Sequence, residues 1–133
     1  MSDKKHLLII DDEVDLCRLL EIRFRKCGLE VSIAHDGKSG FQKVLEVMPD
    51  TVLLDIRMTE GGDGLTFLRK LKGYRHEDAK KQEQVRQTSV IVLSASDRMK
   101  DLFLNEGVKD FVTKPYDPDD LRERVLLVTG ARK

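Results

Sequence analysis

The sequence predicts a doubly wound α/β fold, a five-stranded parallel sheet with helices on both faces, in a single domain over residues 1–133. Three observations carry that expectation. Short apolar runs alternate along the chain with stretches of helical period. Three segments within the runs, Leu7 to Ile10, Val52 to Leu54 and Val90 to Leu93, are apolar at every position, as expected of strands covered on both faces, whereas a strand with one face in water alternates. No repeat or proline-rich linker breaks the alternation, so right-handed crossovers can join each strand to the next.

The first run, Leu7 to Ile10, is Leu-Leu-Ile-Ile and reads as a buried strand. Val14, Cys17, Leu20, Phe24 and Cys27 then recur at helical spacing, with Arg18, Glu21 and Arg25 off the stripe and Gly28 as the stop. Leu29 to Ala34 is the second strand. Gly40 to Met48 carries Phe41, Val44, Leu45 and Met48 ahead of Pro49, the pattern of a second helix. Thr51 to Leu54 is the third strand, and Leu65 to Leu71, after the Asp63-Gly64 pair, the third helix. The stretch Gly73 to Ser89 holds only Tyr74, Ala79 and Val85 as apolar residues and is expected to be a solvated extension, too polar for the core. Val90 to Leu93 is the fourth strand, Arg98 to Glu106 a helix closed by Gly107, and Asp110 to Thr113 the fifth strand. Asp117 as N-cap, Pro118 at the first position and Asp119 and Asp120 in the first turn announce a last helix through Val128. The expected count is five strands and five helices.

A chain of 133 residues can bury enough apolar surface to fold without disulfides or structural metals. Lysine plus arginine equals aspartate plus glutamate at 24 each, so no basic field marks a nucleic-acid binder, and none is expected as a partner. Cys17 and Cys27 fit neither a zinc spacing nor a disulfide framework and read as reduced core side chains, so a cytoplasmic protein is expected. Met1 to His6 is polar and lacks the apolar stretch of a signal peptide or membrane span, so a soluble protein without membrane contact is expected. His6, His35 and His76 stand isolated in the sequence and are expected to face solvent.

In a doubly wound sheet the functional groups collect beyond the carboxyl ends of the strands. The residues following the apolar runs are Asp11 and Asp12, then Asp55, Ser94 and Lys114, all on one edge. Three carboxylates brought together repel one another unless a cation lies among them. An all-oxygen set with few protein ligands suits magnesium, which keeps several waters and takes phosphate oxygens as further ligands, whereas transition metals favour imidazole or thiolate. A carboxylate can act as a nucleophile toward phosphorus, and phosphoryl transfer depends mainly on positioning and on neutralising the equatorial oxygens. Lys114 supplies positive charge and Ser94 a hydroxyl. A GxxxxGK[ST] nucleotide cradle is missing, so ATP binding is not expected.

The segments Leu-Leu-Ile-Ile-Asp-Asp-Glu, Leu-Leu-Asp-Ile-Arg-Met, Val-Leu-Ser-Ala and Val-Thr-Lys-Pro, in this order and each at an expected strand end, resemble the four signature segments of the response-regulator receiver family of two-component phosphorelays. The resemblance covers nearly the whole chain and implies the flavodoxin-like five-stranded fold. It implies that Asp55 is the phosphoacceptor and that Asp12 coordinates magnesium directly, with Asp11 acting mainly through water and the backbone carbonyl of Arg57 as the remaining protein ligand. It also makes Ser94 the switch hydroxyl, Lys114 the phosphate-sensing lysine with a cis bond to Pro115, and Phe111 the switch aromatic. The implied partners are a sensor histidine kinase or phosphotransfer protein upstream and a docking or relay partner downstream. No enzymatic activity is implied beyond the domain's own phosphorylation and dephosphorylation.

The sequence departs from the family after Met58, where Thr59-Glu60-Gly61-Gly62-Asp63-Gly64 replaces the usual proline and shorter turn. Ser94 to Lys114 is shorter than usual, and Gly73 to Ser89 is longer by about two helical turns. The altered loop motivates a second reading, a phosphorylation-independent adaptor on the same fold. A third, a haloacid-dehalogenase-type phosphatase, needs its nucleophile after the first strand and a second aspartate at a spacing that Asp11-Asp12-Glu13 does not provide.

Overall fold

The computed structural model describes residues 4–56 and 62–130. Five parallel strands, β1 (His6–Ile10), β2 (Glu30–Ala34), β3 (Thr51–Asp55), β4 (Ser89–Ser94) and β5 (Asp110–Thr113), form one sheet in the order β2-β1-β3-β4-β5. Around them lie α1 (Val14–Lys26), α2 (Gly37–Val47), α3 (Gly62–Lys72), α4 (Ala79–Arg86), α5 (Lys100–Asn105) and α6 (Pro118–Thr129). The order reverses between β1 and β3, because the chain steps outward from β1 to β2 and then returns across it. In doubly wound sheets such a reversal marks the carboxyl edge where functional groups collect.

Successive side chains of a strand point to opposite faces, and here each face has its own core. Leu8, Ile10, Val52, Leu54, Val90, Val92 and Phe111 meet Val44, Phe67, Leu68, Leu71 and Phe103 from α2, α3 and α5. On the other face Leu7, Ile9, Leu53, Ile91, Leu93 and Val112 meet Cys17, Leu20 and Phe24 of α1 and Leu121 and Val125 of α6. The continuously apolar runs therefore mark the central strands, as expected of a sheet covered on both sides.

Helix ends follow the capping signals. Gly28 stands at φ +92° just past α1 and Gly107 at φ +98° past α5, conformations that side chains with a Cβ rarely adopt. Asp117 caps α6 by accepting from the Asp119 amide at 2.8 Å, with Pro118 in the first turn. Two expectations fail at helix one and among the histidines. Val14, the first residue of α1, is not on the buried stripe: it is 51% exposed, and the buried residues of the helix are Cys17, Leu20 and Phe24. His6 is half-buried rather than solvent-facing, with Nε2 at 2.8 Å from Ser32 Oγ across the β1–β2 pair.

The chief correction is a sixth helix. The polar stretch before β4 contains α4, capped by Asp78, whose carboxylate accepts from the Lys80 and Lys81 amides at 2.9 and 3.4 Å. Its single apolar anchor, Val85, is buried in the core, and Arg86 Nε donates to the Tyr74 carbonyl at 2.7 Å. One buried residue in eight leaves no helical period to read, so the sequence pattern shows only a charged run. Among the described residues no helix is long and apolar enough to cross a membrane.

If α4 is fastened through Val85, Val85→Ala lowers stability by about 2 kcal/mol in chemical denaturation, from two lost methyls and the void they leave. The neighbouring exposed change Gln84→Ala stays within about 0.5 kcal/mol of the parent. Equal small effects from both would show α4 to be undocked.

Candidate functional site

Strand register builds the site. Ile10 pairs with Leu54, so the next residues, Asp11 and Asp55, leave β1 and β3 side by side. Asp55 pairs with Leu93 and Ser94 with Thr113, which brings Ser94 and Lys114 to the same edge. The Ile56 amide donates to the Leu93 carbonyl at 3.0 Å and the Lys114 amide to the Ser94 carbonyl at 2.7 Å, so ladder bonds continue through the functional residues. The peptide bond from Lys114 to Pro115 is cis.

Asp55 lies between the Asp11 carboxyl and the Lys114 ammonium. Lys114 Nζ donates to Asp55 Oδ2 and forms an ion pair with it. Burial by itself lowers a lysine's affinity for its proton, but the hydrogen bond and charge of Asp55, with Asp11 behind it, outweigh that and hold Lys114 above the ordinary lysine value. Asp11 is 3% exposed. Its Oδ1 accepts from the Glu13 amide at 2.9 Å, while its Oδ2 is buried with no hydrogen-bond partner. Burial pushes the Asp11 carboxyl up to about 6, against the Glu13 amide, and the adjoining Asp55 carboxylate adds to the rise. Two ionised carboxylates offer each other only acceptors; a proton or a cation between them removes the conflict.

Asp12 is exposed just beyond Asp11. Ser94 is buried, and its Oγ accepts from the Ser96 amide at 3.2 Å. Phe111 is buried with its ring centroid 6.1 Å from that of Phe103. Arg57 and the altered loop through Gly61 lie outside the described residues. Gly64, inside α3, is required by close approach: a Cβ there would stand 2.7 Å from Ile56 Cγ2 and 3.2 Å from Phe103 Cζ.

The structure thus gathers Asp11, Asp55 and Lys114 closely and sets Asp12 and Ser94 on the same edge. Among the described residues no three His, Cys, Asp or Glu side chains are grouped tightly enough to hold a metal ion by themselves. The orphaned Asp11 Oδ2 and the all-carboxylate donor set still fit a hard ion that uses one or two carboxylates and completes its shell with water.

Two further residues touch the site. Cys17 Sγ donates to the Asp11 carbonyl at 3.3 Å, and His35 Nδ1 lies 2.9 Å from the same oxygen. Cys17 is buried as expected, whereas His35 is exposed yet bonded to the acidic loop. The sequence held the signal: taking the residue after each apolar run gives the site residues for four strands, and the same rule applied to the second gives His35 after Ala34.

Known proteins resemble the chain over most of its length. An uncharacterized transcriptional regulatory protein of Bacillus subtilis, YkoG, is 36% identical over 125 residues, which cover 92% of this chain and 50% of that protein. The chain therefore spans about half the length of the curated relatives it matches. The structure of the receiver domain of the Francisella response regulator 1452 superposes with a TM-score of 0.76 at 26% identity, over 98% of this chain and 100% of that one. At 22% identity the receiver domain of the Pseudomonas aeruginosa sensor histidine kinase PA1611 shares the fold, with a TM-score of 0.75 over 96% and 98% of the two chains, and that protein has a magnesium ion coordinated in its active site cleft. The sequence model of the response regulator receiver domain matches residues 7–126, from the second residue of β1 into α6, and the chain belongs to that family.

Proposed function

We propose that this domain is a phosphorylation-dependent signalling receiver that takes a phosphoryl group from a phosphohistidine onto Asp55. The observation that carries the reading is the Asp55 carboxylate held at a strand end between buried Asp11 and the ammonium of Lys114. An Asp55 oxygen attacks phosphorus, the P–N bond to the donor imidazole breaks as the new P–O bond forms, and the imidazole leaves with a proton. Lys114 neutralises charge on the transferred group, and Ser94 offers its hydroxyl to a phosphate oxygen.

Asp11 and Asp12, with Asp55 and the Arg57 carbonyl, are the residues that would hold magnesium. Bound there, the ion would offset the negative charge of the acids and of the incoming phosphate. Output passes through a partner protein or onward relay, as a population shift in which Ser94 and Phe111 repack around phosphorylated Asp55. Sensor histidine kinases and phosphotransfer proteins are the upstream class that this chemistry requires. The domain catalyses nothing beyond its own phosphorylation and dephosphorylation. Neither the adaptor nor the phosphatase reading is favoured, since the acid–lysine pairing at Asp55 serves a phosphoacceptor after the third strand.

Incubation with magnesium and acetyl phosphate should add one phosphoryl mass to the intact protein, and Asp55→Asn should abolish the gain. Unmodified parent protein under those conditions refutes the acceptor role.

Asp11 allows a second test. Its folded value of about 6 lies above the 3.8 of an ordinary aspartate, so the folded state holds the proton more tightly. In the cation-free protein Asp11 should contribute stability that grows as pH falls from 7 toward 4, by on the order of 2 kcal/mol. Asp11→Asn should remove that component and stabilise the neutral-pH, cation-free protein; urea titrations at two pH values compare them. A parent and variant with identical pH dependence would show Asp11 to be unstrained.

A further inference from the structure

The β1–β2 pair runs in register from His6 opposite Glu30 to Ile10 opposite Ala34. Beyond it the Asp11 amide donates to the Ala34 carbonyl at 3.1 Å, and the next residue of the other strand, His35, reaches back to the Asp11 carbonyl with Nδ1 at 2.9 Å. A carbonyl oxygen only accepts, so Nδ1 carries the proton in this contact. The same oxygen takes the Cys17 thiol at 3.3 Å, a weaker donor.

Asp11 is thereby fixed at three of its polar groups: the amide by Ala34, the carbonyl by His35 and Cys17, and Oδ1 by Glu13. Only Oδ2 is left without a partner. The strand pair does not need His35 for its own sake, since five residue pairs already join it and the ring is exposed. What the imidazole adds is a fastening at the point where the chain turns from the sheet into Asp12.

We propose that His35 is a positioning residue for the cation site, its Nδ1–H holding the Asp11 carbonyl so that Asp11 and Asp12 are set for magnesium. The proposal rests on the acidic site described under the proposed function. Groups that orient ligands from behind typically govern ion affinity by ten- to a hundredfold, and a single bond to a ligand's backbone belongs at about the lower end of that range.

Magnesium affinity is read from the cation-dependent shift of the thermal unfolding midpoint of the whole chain. His35→Ala should bind magnesium about tenfold more weakly than the parent, while His35→Asn should stay within about threefold, because its side-chain N–H stands as many bonds from the backbone as Nδ1–H. Ring nitrogen shifts of the cation-free parent should show the Nδ1–H tautomer. An unaltered affinity in His35→Ala, an asparagine variant no better than the alanine one, or an Nε2–H ring each overturns the proposal. A parent with no magnesium-dependent shift, matched by an equally unresponsive Asp12→Asn, overturns the cation reading itself. A parental shift lost in Asp12→Asn establishes the site against which His35 is judged.

Discussion

The register of β1 against β3 is the constraint from which the rest of the site follows. Once Ile10 lies opposite Leu54, Asp11 and Asp55 leave the sheet as neighbours, and two like charges meet where one of them is buried. Like-charge juxtaposition at a buried position is unfavourable unless something offsets it. The chain answers with Lys114, delivered by β5 two strands away, and with the Glu13 amide on Asp11 Oδ1. Each answer is partial, and burial, with the Asp55 charge beside it, still keeps the Asp11 carboxyl up at about 6. An edge left electrostatically unfinished in this way carries a negative charge that an added cation would offset.

The central part of this arrangement was legible from residues alone, because it rests on short-range patterns. Strands that are apolar at every position announce their burial, and the residue after each run falls on the carboxyl edge. What stayed hidden depends on contacts between segments distant in sequence. Val85 is one apolar residue in a charged run, and only its packing under the helices beside β4 makes α4 part of the core. Val14 matches the period of α1 yet is exposed at the helix's first residue, since periodicity sets direction around an axis but not position along it. Gly64 reads as loop punctuation, whereas Ile56 and Phe103 leave no room there for a methyl group.

The two faces of the sheet divide the labour unequally. Helices α1 and α6 form a compact cover over Leu7, Ile9, Leu53 and Ile91, while the opposite face carries α2, α3 and α5 with the charged α4 segment attached. Phe103 touches both the aromatic ring of Phe111 and the space beside Gly64, so the packing around Phe111 is continuous with α3. A rearrangement at Phe111 would therefore be felt in α3 and α5 before it reached α1. Interiors packed to crystal-like density transmit strain along such contacts.

The thiol beneath the acidic edge has a separate consequence. Cys17 is buried, and burial together with the surrounding carboxylates raises it to about 11. Thiolate is the reactive form toward oxidants and alkylating agents, and at neutral pH Cys17 holds almost none of it. Cys27, the other cysteine of α1's apolar stripe, is half-buried at the far end of that helix. The same negative charge that a cation would offset thus keeps the sulfur below it chemically quiet.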